Sequence, residues 1–83
     1  MAITFTRQAI KELAAVEPAR AKRIRDAIER VHAAPRAKHN NLKPLKGVKN
    51  GYRLRQGDWR VSFTVSGGNM DVFEIAARGS AYR

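Results

Sequence analysis

Three arginines within eight residues are the side chains of this sequence best suited to chemistry. Arg53, Arg55 and Arg60 lie in the segment GYRLRQGDWRVSF, residues 51–63. An arginine side chain stays charged, and its planar guanidinium can donate two parallel hydrogen bonds to phosphate oxygens. A surface that carries all three is suited to bind a polyanion and to stabilise negative charge on a reacting phosphate.

Apolar residues alternate along this segment, which predicts two half-buried strands. The alternating positions are Tyr52, Leu54, Trp59, Val61 and Phe63. We place a two-residue turn at residues 56–57, which pairs Arg55 with Asp58 and sets Arg53 opposite Arg60. Like charges directly opposite each other destabilise a sheet by up to about 1 kcal/mol. The pair of arginines therefore favours a bound polyanion over a purely structural role.

Composition agrees with a polyanionic partner. The chain has 83 residues, with 17 Lys and Arg against 7 Asp and Glu and a net charge of +10. Residues 36–83 alone hold ten basic and three acidic residues, so the excess charge is concentrated around the arginine segment. A domain this basic is expected to meet a nucleic acid or an acidic protein.

Several classes of protein are excluded by what the sequence lacks. It has no cysteine, hence no disulfide framework and no thiolate metal site. No apolar run approaches the ~20 residues of a membrane span, and the N-terminus lacks the layout of a signal peptide. No carboxylates have metal-ligand spacing. We expect a cytoplasmic protein with no metal and no cofactor.

The N-terminal half predicts one strand and two helices. Residues 2–5 alternate as a short strand, and Thr6 is a favourable N-cap for a helix over residues 7–16. Pro18 suits the first turn of a second helix. That helix has an apolar stripe at the i, i+3, i+4, i+7 spacing, formed by Ala21, Ile24, Ala27, Ile28 and Val31.

The C-terminal half predicts three strands after a loop over residues 35–44. The strands span about 51–56, 58–66 and 70–77, giving the order β-α-α-β-β-β in one domain, 1–83. Two helices on one face of a small, mostly antiparallel sheet form an α+β architecture. The predicted core face carries Leu54, Trp59, Val61, Phe63, Phe73 and Ile75. The other face is predicted to be open and to carry Arg53, Arg55, Arg60, Ser62 and Thr64.

The segments LKPLKGVKNGYRLRQGDWRVSF and AARGSAYR resemble the RelE/ParE superfamily of toxins from type II toxin–antitoxin systems. The resemblance covers nearly the whole chain. It implies a microbial-ribonuclease-like RelE fold and a cognate antitoxin, whose acidic C-terminal segment wraps the toxin. In the RelE branch, which we favour, the toxin cleaves mRNA in the ribosomal A site. In the ParE branch, the toxin inhibits DNA gyrase without catalysis.

The resemblance also implies roles for individual residues. Arg53 and Arg55 fill the two basic positions that follow the GY pair, where RelE toxins often have lysine, and are expected to bind RNA. Arg60, Arg78 and Tyr82 fill the catalytic positions. The antitoxin is expected to cover Arg53, Arg55 and Arg60. A plain basic nucleic-acid-binding module would explain the charge, but not the tyrosine near the C-terminus.

RNA cleavage without a metal uses the 2′-hydroxyl as the nucleophile. The reaction needs a proton acceptor, a group that stabilises the phosphorane and a donor for the leaving 5′-oxygen. We expect Arg60 to stabilise the phosphorane and Arg78 to stabilise charge or assist the leaving group. Tyr82 is either the base, since nearby arginines lower the pKa of a phenol, or a stacking platform for a nucleobase.

The remaining basic residues and both histidines complete the candidates. Lys43, Lys46 and Lys49 precede the hairpin and are expected to contact the backbone of structured RNA on the ribosome. His32 lies at the end of the second predicted helix, where a cation is stabilised by the helix dipole, so we interpret it as structural. His39 lies in the 35–44 loop and is a weaker catalytic candidate.

Overall fold

Two helices and a five-stranded sheet make up the computed structural model, which describes residues 2–34 and 41–77. The strands are β1 (Ile3–Phe5), β2 (Leu42–Pro44), β3 (Gly51–Gln56), β4 (Trp59–Ser66) and β5 (Asn69–Ala77), and the helices are α1 (Arg7–Ala14) and α2 (Pro18–Ala33). The strand order is β1-β5-β4-β3-β2. β1 pairs with β5 in parallel, and the other neighbours are antiparallel. The predicted α+β class is confirmed.

Both helices begin where local chemistry predicts. Thr6 caps α1, and its side chain accepts a hydrogen bond of 3.2 Å from the backbone N–H of Ala9. Pro18 begins α2, a position at which its missing N–H removes no helical hydrogen bond. α1 ends at Ala14, two residues before the predicted end. Among the described residues, no helix has the length and apolar character needed to cross a membrane.

β2 was not predicted, because residues 35–44 read as a loop. Its three residues pair with β3, and Leu42 lies opposite Leu54. Three residues are too few to show a period of two. Pro44, which cannot donate a hydrogen bond, is tolerated because β2 lies at the edge of the sheet.

The predicted turn of the β3–β4 hairpin is one residue out of place. The turn is formed by Gly57 and Asp58, and Gln56 is paired with Trp59. Gly57 has a φ of 59°, the positive value that a type II′ turn requires at its first central residue. A type I′ turn over residues 56–57 would instead have required a positive φ at Gln56, where a side chain makes it costly.

The shifted turn changes which residues are neighbours across the hairpin. Arg55 lies opposite Arg60, and Arg53 lies opposite Ser62. The predicted pairings of Arg53 with Arg60 and of Arg55 with Asp58 are therefore wrong. The faces are unaffected, because the shift moves every pairing by two residues and the strand period is two.

The prediction that Phe73 lies on the core face is also wrong. Phe63 pairs with Val72, whereas the preceding residue, Ser62, pairs with Glu74. Phe73 is thus the extra residue of a β-bulge, and the alternation of β5 changes at that point. Val72 is fully buried in the core, and Phe73 is half-buried outside it.

The core lies between the helices and one face of the sheet. Its largest fully buried apolar side chains are Phe63, Ile24, Ile28, Leu54, Ile75, Val61 and Val72. Trp59 and Tyr52 are half-buried and pack against this core. α2 contributes its predicted stripe, and Glu12 on α1 accepts a hydrogen bond of 2.9 Å from the backbone N–H of Ile75. In the part of the chain that the structure describes, both helices therefore pack against this one face of the sheet.

Candidate nucleic-acid interface

The face of the sheet opposite the helices carries the three arginines on two neighbouring rows. In one row, Arg55 lies beside Arg60, which lies beside Ala76. The second row runs across four strands, through Lys43, Arg53, Ser62 and Glu74. We call this surface the arginine face. Alternate residues of a strand lie on the same side of a sheet. The three arginines therefore share one face, as predicted.

A shallow depression of about 230 Å³ lies among these residues, lined by Asn41, Lys43, Arg53, Arg55 and Arg60. Its wall is fixed by backbone contacts. The Asn41 side chain donates a hydrogen bond of 2.6 Å to the carbonyl oxygen of Arg55, whose N–H donates to the Asn41 carbonyl at 2.9 Å. Four cationic residues and one asparagine thus line a depression that has room for a phosphate group.

The three arginines differ in their surroundings. Arg53 and Arg55 are exposed, whereas Arg60 is half-buried on β4, which has a neighbouring strand on each side. A charge that is partly removed from water interacts more strongly with a bound anion. Arg60 is consequently the arginine whose position suits stabilisation of a reacting phosphate, and Arg53 and Arg55 suit the flanking phosphates.

Ser62 departs from the predicted open face, because it is 2% exposed. Its hydroxyl donates a hydrogen bond of 3.3 Å to Oε1 of Glu74 on the neighbouring strand. The sequence pattern assigned no role to Glu74. Because Ile75 lies on the core face, simple alternation places Glu74 on the arginine face, and the register of β4 with β5 sets it beside Ser62.

The lysines before the hairpin separate into two groups. Lys43 lies on β2 and lines the depression, whereas Lys46 and Lys49 are exposed in the connection from β2 to β3. Gly51 keeps this connection close, since a Cβ atom there would lie 2.5 Å from Cγ1 of Val48. Lys46 and Lys49 therefore lie on an exposed, compact connection and do not line the depression.

Three candidates, Arg78, Tyr82 and His39, lie outside the described residues, so the predicted catalytic set is located only at Arg60. His32 is described, and its Nε2 lies 3.1 Å from the carbonyl oxygen of Gly68. This contact links the end of α2 to the β4–β5 turn, consistent with a structural role. Within residues 2–34 and 41–77, no three His, Asp or Glu side chains group as metal ligands.

Comparison with known proteins identifies the family. The sequence model of the family described as "ParE toxin of type II toxin-antitoxin system, parDE" matches residues 3–82. The chain therefore belongs to the ParE toxin family, within the RelE/ParE superfamily of type II toxins. A search among curated proteins gave no match.

Solved structures confirm the RelE-like fold. A chain of the RelB–RelE antitoxin–toxin complex from Methanococcus jannaschii is 28% identical, with a TM-score of 0.78 over 95% of this chain and 94% of that chain. The isolated RelE toxin of E. coli is 19% identical, with a TM-score of 0.75 over 96% and 88% of the two chains. The YoeB–YefM complex from Staphylococcus aureus contains a chain with 17% identity and a TM-score of 0.73, over 92% and 94%. The last two likenesses concern the fold alone.

Proposed function

We propose that this toxin is a ribosome-dependent endoribonuclease that cleaves mRNA in the A site of cytoplasmic ribosomes. The observation that carries the proposal is the convergence of Arg53, Arg55 and Arg60 on one depression of the arginine face. Packing does not require this arrangement, because it places Arg55 and Arg60 directly opposite each other. A phosphate backbone bound across the two rows would turn the repulsion into attraction.

In this proposal the 2′-hydroxyl attacks the adjacent phosphate and the 5′-oxygen leaves. Arg60 donates hydrogen bonds to the non-bridging oxygens as negative charge develops on the phosphorane. Arg53 and Arg55 hold the neighbouring phosphates. Arg78 and Tyr82 complete the catalytic set that the family resemblance implies, with Arg78 beside the leaving group and Tyr82 as proton acceptor or stacking platform.

The exposed lysines support binding to the ribosome. Lys46 and Lys49 lie beyond the depression, and Lys43 lies at its edge. Lysines on an exposed connection contact nucleic-acid backbones through charge and carry little sequence information. We assign them to ribosomal RNA, and we expect their neutralisation to weaken ribosome binding without changing the position of the cut.

The test is to map mRNA 3′ ends in a bacterial translation extract with wild type and with Arg60→Ala. New ends within codons, present only with wild type and only on translating ribosomes, are the expected result. Arg30→Ala is the matched control, because it removes the same charge from an exposed position on α2. The proposal fails if Arg60→Ala cleaves as wild type does, or if wild type arrests growth without producing new ends.

Inhibition of DNA gyrase is a second candidate function, favoured by the match to the family named for ParE. Under this alternative the arginine face binds gyrase or its DNA and performs no chemistry. A supercoiling assay with purified gyrase separates the two candidates. Inhibition of supercoiling by wild type, together with unchanged mRNA ends, would select the gyrase function.

A cognate antitoxin is the partner we propose under either function. The M. jannaschii and S. aureus structures are toxin–antitoxin complexes. An acidic C-terminal segment of the antitoxin would cover Arg53, Arg55 and Arg60 and exclude the nucleic acid. We expect a complex with the product of the adjacent gene to weaken as salt is raised, since exposed charges are screened. An affinity that is unchanged between low and high salt would contradict this role for the arginines.

A further inference from the structure

Glu74 is a carboxylate on a surface otherwise dominated by cations. It lies in the same row as Arg53 and Ser62, and Arg60 is two residues before Ser62 on β4. Residues two apart on a strand are separated by about 7 Å and point to the same face. Arg53, Arg60 and Glu74 therefore surround Ser62 on three sides.

Ser62 forms the floor of this group. It has a small side chain, and it is 2% exposed. Its hydroxyl donates to Oε1 of Glu74 at 3.3 Å, which orients the half-buried carboxylate on the sheet. A phosphodiester bound by the two arginines would lie above Ser62, with the glutamate at its side.

A carboxylate at this position opposes simple polyanion binding, because it repels phosphate. Its chemistry suits proton transfer instead. The side chain of a glutamate is ordinarily ionised at neutral pH and can accept a proton at once, whereas a tyrosine phenol is ordinarily protonated. The residue that weakens binding is thus chemically suited to be the base that the cleavage reaction needs.

We propose that Glu74 is the general base of this toxin, an inference that rests on the proposed ribonuclease function. Oε2 of Glu74 takes the proton of the 2′-hydroxyl, and the 2′-oxygen forms a bond to phosphorus. The bond from phosphorus to the 5′-oxygen breaks, and the 5′-oxygen takes a proton from water. Glu74 returns its proton to the hydroxide left behind, and the product ends in a 2′,3′-cyclic phosphate. Ser62 is a positioning residue that holds the carboxylate.

Glu74→Gln tests the proposal with two separate measurements. The first is the rate of mRNA cleavage on programmed ribosomes. The second is affinity for ribosomes whose A-site codon carries 2′-O-methyl groups and cannot be cleaved. We expect cleavage to fall about 10²- to 10⁴-fold. Affinity is expected to stay equal or to rise, because a negative charge leaves a basic surface. Arg60→Ala, in contrast, is expected to lower both.

Asp71→Asn is the matched control. Asp71 lies on the same strand and face, but its Oδ1 accepts a hydrogen bond of 2.9 Å from Thr4 at the β1 edge. The Asp71→Asn variant loses the same charge as Glu74→Gln, and we expect it to cleave mRNA at the wild-type rate. Glu74→Asp is expected to recover part of the rate. Ser62→Ala is expected to slow cleavage several-fold with unchanged affinity for the 2′-O-methyl complex.

The outcomes distinguish this inference from the proposed function. If wild type and Glu74→Gln cleave at similar rates, the ribonuclease function stands and the general base lies elsewhere. Equal losses in Glu74→Gln and Asp71→Asn would also overturn the inference, because they would indicate a general effect of charge. If the wild-type protein itself does not cleave mRNA, both proposals fail. This outcome is seen in the wild-type reaction alone, without any variant.

Discussion

The core face and the arginine face use alternate residues of the same strands, yet they respond to different physical demands. Leu54 and Val61 lie opposite each other on the core face and are almost fully buried. On the other face, Arg55 and Arg60 lie opposite each other, one exposed and one half-buried. Burial of apolar side chains on the core face stabilises the fold, whereas like charges directly opposite each other do not. The difference is the reason that we propose the arginine face, and not the core face, as the binding surface.

The largest expected effect comes from a void in the core face. We expect Phe63→Ala to lower the free energy of unfolding by about 3–5 kcal/mol, because it removes a fully buried aromatic side chain. Arg53→Ala, on the other face of the neighbouring strand, is expected to change it by less than about 0.5 kcal/mol. Urea unfolding measures both. Comparable losses of stability in the two variants would contradict the division between the faces. If Phe63→Ala does not fold, Ile24→Val tests the core instead, with an expected loss of about 0.5–1.5 kcal/mol.

A smaller effect is expected where α1 is attached to the sheet. Glu12→Ala removes the acceptor of the Ile75 N–H, and losing a hydrogen bond to a charged group costs about 1.5–3 kcal/mol. Glu12→Gln keeps an acceptor and should lose less. Urea unfolding gives the loss, and hydrogen exchange at the Ile75 amide shows whether the opening is local. Glu29→Ala, at an exposed position on α2, is the control and is expected to be neutral.

The turn that sets the register of the arginine face is the third test. Gly57 has a φ of 59°, and no atom lies within 4 Å of the position that a Cβ would occupy, so Gly57→Ala adds backbone strain without a clash. The expected cost is about 1–2 kcal/mol in urea unfolding. Gly57→Asn should cost less, since asparagine tolerates positive φ better. A neutral Gly57→Ala would favour a different turn and a different partner for Arg60.

The smallest expected effect is a gain in stability on the arginine face. Arg55→Gln removes one of two like charges that face each other, so we expect it to raise the free energy of unfolding by up to about 1 kcal/mol. Arg53→Gln, which faces Ser62, should raise it less. Both differences should shrink at high salt, because exposed charges are screened. A larger gain from Arg53→Gln would contradict the observed register.

Much of the fold could be predicted because its signals act over a few residues. The cap at Thr6, the start of α2 at Pro18 and the apolar stripe of α2 each depend on neighbours along the chain. The alternation in β3 and β4 placed all three arginines on one face despite the error in the turn. The side of the sheet on which a residue lies depends only on whether its position in the strand is odd or even. A change of two residues in the pairing leaves that side unchanged.

The class of fold and the two faces of the central strands, with three arginines on one of them, could therefore be predicted from the sequence. The three-dimensional structure was needed to show that Arg55 lies opposite Arg60, that Leu42–Pro44 form an edge strand and that Glu74 lies beside Ser62. These features depend on how separate strands share hydrogen bonds. The bulge at Phe73 changes the alternation of β5, and the sequence hides this change because Val72 and Phe73 are both apolar.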